Sequence, residues 1–471
     1  MARLSANDEQ KPNHETTRKD TSDCFELDEH NKAAINKNIG NTGHRLSPNE
    51  VRKNTTMKIL LAVFMLALNG VTFSQDRKFE FGSNNVPRGT TAVSERDVYS
   101  KEKSFGFEPG ADLKCSEKNC ASDKPFYFSA AVPEGNYRVT IKFGDKMSAT
   151  STVVKAELRR LMLERVDTKR DEFVTRDFIV NVRTPVISSG GEVKLKDRER
   201  TSEQWAWDEK LTLEFNGAHP SINSIKIQKV NVPTIFLLGD STVCDQPGEP
   251  YASWGQMITR FFDDKVAVAN HAESGESLRS SLGAKRLDKV LSLMRRGDYL
   301  LIQYGHNDEK EKGDGVGAFT TYKASLKKFV DGVKKKGGIP ILITPMHRRT
   351  FDADWKITNS HGDYPEAVRR VAKEENVELI DLTEMSKDLY QALGKDGSGV
   401  LFKEGDGTHH NSYGAYQLAK AIVQSIRDQR LPVAQYLRDD LPKYDPKHPD
   451  HFGSFAIPPS PAVMQMKPLG N

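Results

Sequence analysis

Two hydrophobic periodicities divide the chain. Between residues 78 and 231, short segments alternate apolar and polar positions at period two, as in Phe126–Ser129, Tyr137–Phe143, Phe178–Val182, Leu211–Phe215 and Ile225–Ile227. Turn residues fill the gaps, for example Pro133-Glu134-Gly135-Asn136 and Ser188-Ser189-Gly190-Gly191. Strands of this kind, with no convincing helix among them, predict an antiparallel β-sandwich domain over 78–231. From Thr234 to 430 the pattern changes. Near-continuous apolar runs at Ile235–Leu238, Val266–Ala269, Tyr299–Gln303, Ile339–Thr344 and Val377–Leu382 read as strands. Amphipathic stretches at Trp254–Phe262, Arg286–Met294, Tyr322–Lys336, Tyr364–Glu375 and Tyr413–Arg427 read as helices. Apolar strands joined by helices predict a parallel sheet covered on both faces, with a site beyond the carboxyl ends of its strands. Asn231-Val232-Pro233 reads as a hinge, and 431–471, rich in Pro and Asp, as an extended tail.

The N-terminus follows neither pattern. Residues 1–56 are polar and aperiodic, which predicts a disordered leader. At 57–74 a Met-Lys start, a ten-residue apolar run (Ile59–Leu68) and a small residue at Ser74 have the parts of a secretory signal peptide. Such peptides sit at true N-termini, so Met57 reads as the translation start and the product as exported, periplasmic or extracellular. Ten apolar residues are too few to span a bilayer, which argues against stable membrane insertion.

Composition adds limits. A chain of 471 residues with 37% hydrophobic and 28% charged residues has material for two folded domains. A net charge of +4, without dense Lys/Arg runs interleaved with aromatics, argues against nucleic acid as a partner. It is compatible with an acidic polysaccharide. Cys115 and Cys120 flank a short polar loop and read either as a disulfide or as two free thiols.

The chemistry lies in three blocks of the second half. Phe236-Leu237-Leu238-Gly239-Asp240-Ser241 ends an apolar run on a serine. Gly305-His306-Asn307-Asp308 follows the third run, and Asp406-Gly407-Thr408-His409 precedes the last helix. A serine hydroxyl needs a base near neutral pH, and His409 can supply it. Asp406 can fix the imidazole tautomer and stabilise the imidazolium. The tetrahedral oxyanion needs donors, for which the Ser241 N–H, Gly275 and Asn307 are suited. Arg348-Arg349, after the fourth run, read either as a solvated pair or as contacts to substrate carboxylates. Trp205 and Trp207 read as core residues, with sugar stacking as the alternative. His409-His410 does not read as a metal pair, since neighbours in a turn diverge and no third ligand is evident.

The blocks Gly239-Asp240-Ser241, Gly275, Gly305-His306-Asn307-Asp308 and Asp406-x-x-His409 occur in the order of the SGNH (GDSL-like) hydrolases, which this chain resembles from 234 to about 429. Gly-Asp-Ser-Thr-Val, Ser253-Trp254-Gly255 and Thr344-Pro345-Met346-His347-Arg348-Arg349 resemble the rhamnogalacturonan acetylesterase branch. The resemblance implies a flavodoxin-like three-layer α/β fold preceded by a β-sandwich. It also implies a serine esterase, without metal or other cofactor, that removes acetyl groups from an acetylated acidic pectic polysaccharide. In that family's roles Ser241 attacks, His409 is the base, Asp406 orients it, and Ser241, Gly275 and Asn307 form the oxyanion hole. Two other readings stay open: an acetylesterase for xylan or other acetylated glycans, and a carbohydrate-binding protein without catalysis.

Overall fold

A five-stranded parallel sheet organises the second half of the molecule. The computed structural model describes residues 76–83 and 85–461; the leader, the signal-peptide reading and the tail beyond 461 fall outside these residues. The sheet's strands, numbered within it, are β1 (Thr234–Gly239), β2 (Ala267–Asn270), β3 (Tyr299–Gln303), β4 (Ile339–Ile343) and β5 (Glu378–Ile380). All neighbours pair in parallel in the order β2-β1-β3-β4-β5, the flavodoxin-like arrangement.

Both faces are buried, which is why these strands read as unbroken apolar runs. Ile235, Leu237, Leu301, Ile341 and Ile343 face one core. Phe236, Leu238, Leu300, Ile302 and Leu342 face the other. The first core is closed by α4 (Leu382–Gly397, broken at Gly394) and α5 (Ser412–Asp428), through Leu389, Tyr390, Leu418 and Ile422. The second is closed by α1 (Arg286–Leu293), α2 (Lys323–Lys335) and α3 (Tyr364–Glu375), through Val290, Phe329, Val330 and Val371. The sequence reading has no counterpart for α4. The predicted helix at Trp254–Phe262 is a single α-turn, Trp254–Met257, followed by a 3-10 turn. No helix among the described residues is long and apolar enough to cross a membrane.

Residues 76–229 hold two further sheets. In one, the strands run 174–182, 135–143, 221–229, 76–81 and 91–93; the last pair is parallel and the others antiparallel. In the other, 105–107, 126–131, 210–216, 150–156 and 160–168 are antiparallel throughout. Their inner faces share one core, in which Phe79, Phe81, Phe107, Phe126 and Phe128 form a chain of tilted and edge-on ring contacts. A small hairpin, 114–115 and 120–121, extends the first of these two sheets by pairing with 221–229; its Cys115 and Cys120 are joined in a disulfide, and Cys120 belongs to this core. Trp207 is buried under the Arg183 guanidinium, and Trp205 is half-buried beside Tyr127.

The segment Asn231-Val232-Pro233, expected as a hinge, joins the strand 221–229 to β1. Arg295 donates to Asn231 Oδ1 and to the Val232 carbonyl. The strand-rich region and the α/β region are also fastened by buried ion pairs. Arg160 and Arg183 lie 3.4 and 3.7 Å from Asp245. Arg159 pairs with Glu249. Arg286 grips Glu199 through two bonds of 2.9 and 2.6 Å, with both side chains fully buried.

Candidate active site

Ser241 leaves the carboxyl end of β1 on a tight turn. A Cβ on Gly239 would come within 2.6 Å of the Gln303 carbonyl and 2.5 Å of Val243, so the strand can reach its neighbour this closely only with glycine. Asp240 then organises the turn. Its Oδ1 accepts from the Thr242 N–H (2.9 Å) and hydroxyl (2.7 Å). Its Oδ2 lies 3.3 Å from His306 Nδ1. Burial raises the Asp240 carboxyl, but His306 and the two Thr242 donors outweigh it and bring the pKa to about 2. Asp240 is therefore a structural carboxylate. Gln303 Nε2 donates to Thr242 Oγ1 (2.7 Å) and is itself held by the Trp254 indole (2.8 Å). Gln246 Nε2 donates to the Ser241 carbonyl (2.7 Å).

The three residues read from sequence as nucleophile, base and orienting acid come together. Ser241 Oγ is 2.9 Å from His409 Nε2, and His409 Nδ1 is 3.0 Å from Asp406 Oδ2. Asp406 Oδ1 accepts from the Thr408 N–H (2.8 Å) and the His409 N–H (3.0 Å). Burial raises this carboxyl too, but the His409 ring and the two N–H groups hold it well below the usual carboxylate range. An ionised Asp406 accepts from Nδ1–H, which leaves the Nε2 lone pair for the Ser241 proton. The turn carrying them is tied to the loop after β4, where the Arg349 N–H donates to the Gly407 carbonyl (2.7 Å). Ser241 and His409 are each 2% exposed, so the reacting atoms are recessed. His410 turns away from them: its ring meets the Tyr390 hydroxyl (2.7 Å), and burial lowers its pKa to about 3.

Of the residues expected to form an oxyanion hole, Gly275 and Asn307 lie on two neighbouring loops. Gly275, with φ of +76°, sits on the loop after β2. Asn307, after β3, donates from Nδ2 to the Glu276 carbonyl (3.0 Å), which ties the two loops together. Among the described residues no hydrogen bond runs from the Ser241 or Gly275 N–H group. His306, part of a motif but given no role from sequence, supports the Asp240 turn; Asp308 accepts from the Leu278 N–H (2.9 Å).

Arg348 and Arg349, read either as a solvated pair or as contacts to substrate carboxylates, both bond to groups of the protein. Arg348 already has a carboxylate, Glu309 at 2.5 Å, and also donates to the His306 and Ser360 carbonyls. Arg349 donates to Ser398 Oγ (3.0 Å) and to the Lys395 carbonyl. Both guanidiniums brace loops at the site. Their partners lie far off in sequence, so no local signal marks them.

Comparison with known proteins agrees with this geometry. The chain matches the GDSL-like Lipase/Acylhydrolase family over residues 237–418. It is 38% identical over 218 residues to rhamnogalacturonan acetylesterase RhgT of Bacillus subtilis (strain 168), covering 43% of this chain and 93% of that protein. The chain belongs to the GDSL-like acylhydrolases. A longer match, 27% identical over 372 residues, is to the uncharacterized esterase YxiM of the same organism and covers 75% of this chain and 91% of that protein. The rhamnogalacturonan acetylesterase of Emericella nidulans is 26% identical over 220 residues, covering 41% of this chain and 84% of its own length. In this GDSL-like acylhydrolase the family match begins inside β1 and ends inside α5, so it encloses Ser241, Gly275, Asn307, Asp406 and His409.

Proposed function

We propose that this protein is a carbohydrate acetylesterase acting on an acetylated pectic polysaccharide, rhamnogalacturonan, through an acetyl-serine intermediate. The observation that carries the chemistry is the continuous relay from Ser241 Oγ through His409 to Asp406, at 2.9 and 3.0 Å. The acetylated polysaccharide rests on the named activity of the relative that is 38% identical.

In this reading Ser241 Oγ attacks the acetyl carbonyl carbon while His409 Nε2 takes its proton. The oxyanion is held by the Ser241 and Gly275 N–H groups and the Asn307 amide; losing one such donor costs about 3–4 kcal/mol of transition-state stabilisation. The intermediate collapses as the imidazolium returns the proton to the departing sugar oxygen. Water, deprotonated by His409, then attacks acetyl-Ser241 and releases acetate. The two sheets of residues 76–229 support reading that region as a β-sandwich domain ahead of the hydrolase. Residues 57–74 carry the proposal of export, which N-terminal sequencing of secreted protein tests.

The test is acetate release from acetylated rhamnogalacturonan and acetylated xylan by the wild type and by Ser241→Ala. Release that prefers rhamnogalacturonan and vanishes in Ser241→Ala is the expected result. Preference for xylan transfers the assignment to that glycan, release that survives Ser241→Ala overturns the mechanism, and binding without release points to a non-catalytic glycan-binding protein.

A further inference from the structure

We propose that Lys196, which belongs to the strand-rich region, is a positioning residue for the oxyanion hole, acting through the Ser274–Gly275 peptide. This rests on the reading of the Gly275 N–H as an oxyanion donor. The Ser274 carbonyl and the Gly275 N–H belong to one planar trans peptide unit, so they point in opposite directions. Whatever fixes the carbonyl therefore fixes the N–H. Lys196 Nζ donates to that carbonyl.

The need for such a contact follows from Gly275 itself. At φ of +76° the glycine has no Cβ to disfavour alternative peptide orientations, so the unit can rotate at little steric cost. An unbraced peptide would spend part of its time with its carbonyl, rather than its N–H, toward Ser241. The Lys196 ammonium removes that alternative. It also polarises the amide it binds, which makes the Gly275 N–H a better donor to a negative oxygen.

Lys196 is itself held in place. Its Nζ lies 2.9 Å from Glu276 Oε1, and its backbone N–H donates to Glu199 Oε2 (2.8 Å). Glu199 is gripped by Arg286, which also lies 3.5 Å from Glu276. On the other side of the glycine, Arg198 lies 3.7 Å from Glu273. The segment from Lys196 to Glu199 therefore touches residues on both sides of Gly275. Through Glu276, whose carbonyl receives the Asn307 amide, it reaches the side-chain donor of the hole as well.

The test compares Lys196→Met, which keeps the apolar stem and removes the ammonium, with Lys196→Arg and Asn307→Ala. Steady-state kinetics on an aryl acetate are combined with the inhibition constant of an alkyl boronic acid, whose serine adduct places an oxygen in the hole. Lys196→Met is expected to lower kcat by about tenfold or more, with KM within twofold and boronate affinity falling in parallel, since removal of a whole donor costs about 10²–10³. Lys196→Arg is expected to recover most of the rate. A folded Lys196→Met with unchanged kcat, or with only KM raised, overturns the proposal. If Lys196→Met does not fold, Lys196→Gln takes its place: a partial loss of kcat and boronate affinity supports the proposal, and wild-type values overturn it. Asn307→Ala separates the two levels. If it too leaves kcat and boronate affinity unchanged, the oxyanion-hole reading fails; if it loses both while Lys196→Met loses neither, only the role of Lys196 fails.

Discussion

Asp406→Asn is the sharpest perturbation of the relay because the structure dictates which way the new amide must face. Asp406 Oδ1 accepts two backbone N–H groups, from Thr408 and His409, at 2.8 and 3.0 Å. In the variant the amide oxygen must take that place, since an NH₂ group there would oppose two donors. The NH₂ then faces His409 Nδ1, where the carboxylate oxygen stood at 3.0 Å. His409 must accept at Nδ1 and carry its proton on Nε2, so it presents N–H to Ser241 Oγ in place of a lone pair. The base is in position but in the wrong tautomer. The loss expected for such an inversion is about 10⁴ in kcat, or about 5 kcal/mol of transition-state stabilisation. The assay is kcat and KM on an aryl acetate near neutral pH, with circular dichroism and thermal unfolding to establish that the variant folds. KM should stay within a few-fold, because no atom that binds substrate is moved. A folded Asp406→Asn that retains more than a tenth of the wild-type kcat would refute the assignment of Asp406 as the orienting acid.

Two further outcomes concern stability. Arg286→Met leaves the fully buried Glu199 without its bidentate partner and should cost about 3–5 kcal/mol, read as a lowered urea midpoint, whereas an unchanged midpoint contradicts it. His306 is held neutral by burial, its pKa lowered from 6.5 to about 4. The unfolded chain takes up that proton as pH falls through about 6.5 and the folded protein does so only near 4, so this site alone should remove roughly 3 kcal/mol of stability across that interval and little below it. Unfolding at a series of pH values measures this, and a His306→Asn variant with the same slope as the wild type would show that the proton belongs elsewhere.

How much of this was legible depended on where each residue's partners lie. The five parallel strands read directly because both their faces are buried, which turns alternation into runs. The hairpin 150–168 did not read as strands, although it supplies two members of a sheet. Its inner face lies on the sandwich core, but Val153 and Leu161 on its other face pack into the α/β core, so no polar face alternates. Its charged residues Lys155, Glu157, Arg159 and Arg160 look like a solvated surface in sequence, yet all are buried in ion pairs. Helix α4 was hidden by its start, since Asp381 follows three-residue β5 at once and caps the helix through the Glu384 N–H. The relay residues were legible because each sits in a short motif after a strand or before a helix. The pairing of Arg348 with Glu309 was not legible because that carboxylate lies on the loop after a different strand.

The charged character of the contact between the two regions has a mechanical consequence for the site. Burying ion pairs adds little net stability compared with apolar residues of equal volume, because desolvation offsets the attraction. An apolar contact tolerates sliding, however, whereas pairs with fixed geometry are satisfied in one register. Here that register leads to the nucleophile. Asp245, four residues beyond Ser241, receives Arg160 and Arg183 from the strand-rich region and the Asn270 amide (2.8 Å) from the end of β2. Arg159 donates to the Gln246 carbonyl (3.1 Å), and the Gln246 side chain donates to the carbonyl of Ser241 itself. Lys196 makes the corresponding contact to the peptide of Gly275. Of the three groups read as the oxyanion hole, the Gly275 N–H has its own peptide unit contacted from outside the α/β fold, and the peptide that follows the Ser241 N–H is reached through Gln246. Arg159 also donates to the Tyr251 carbonyl (2.9 Å), and the Tyr251 ring packs edge-on against His409, so a displacement of the strand-rich region would be felt at the base as well as at the hole.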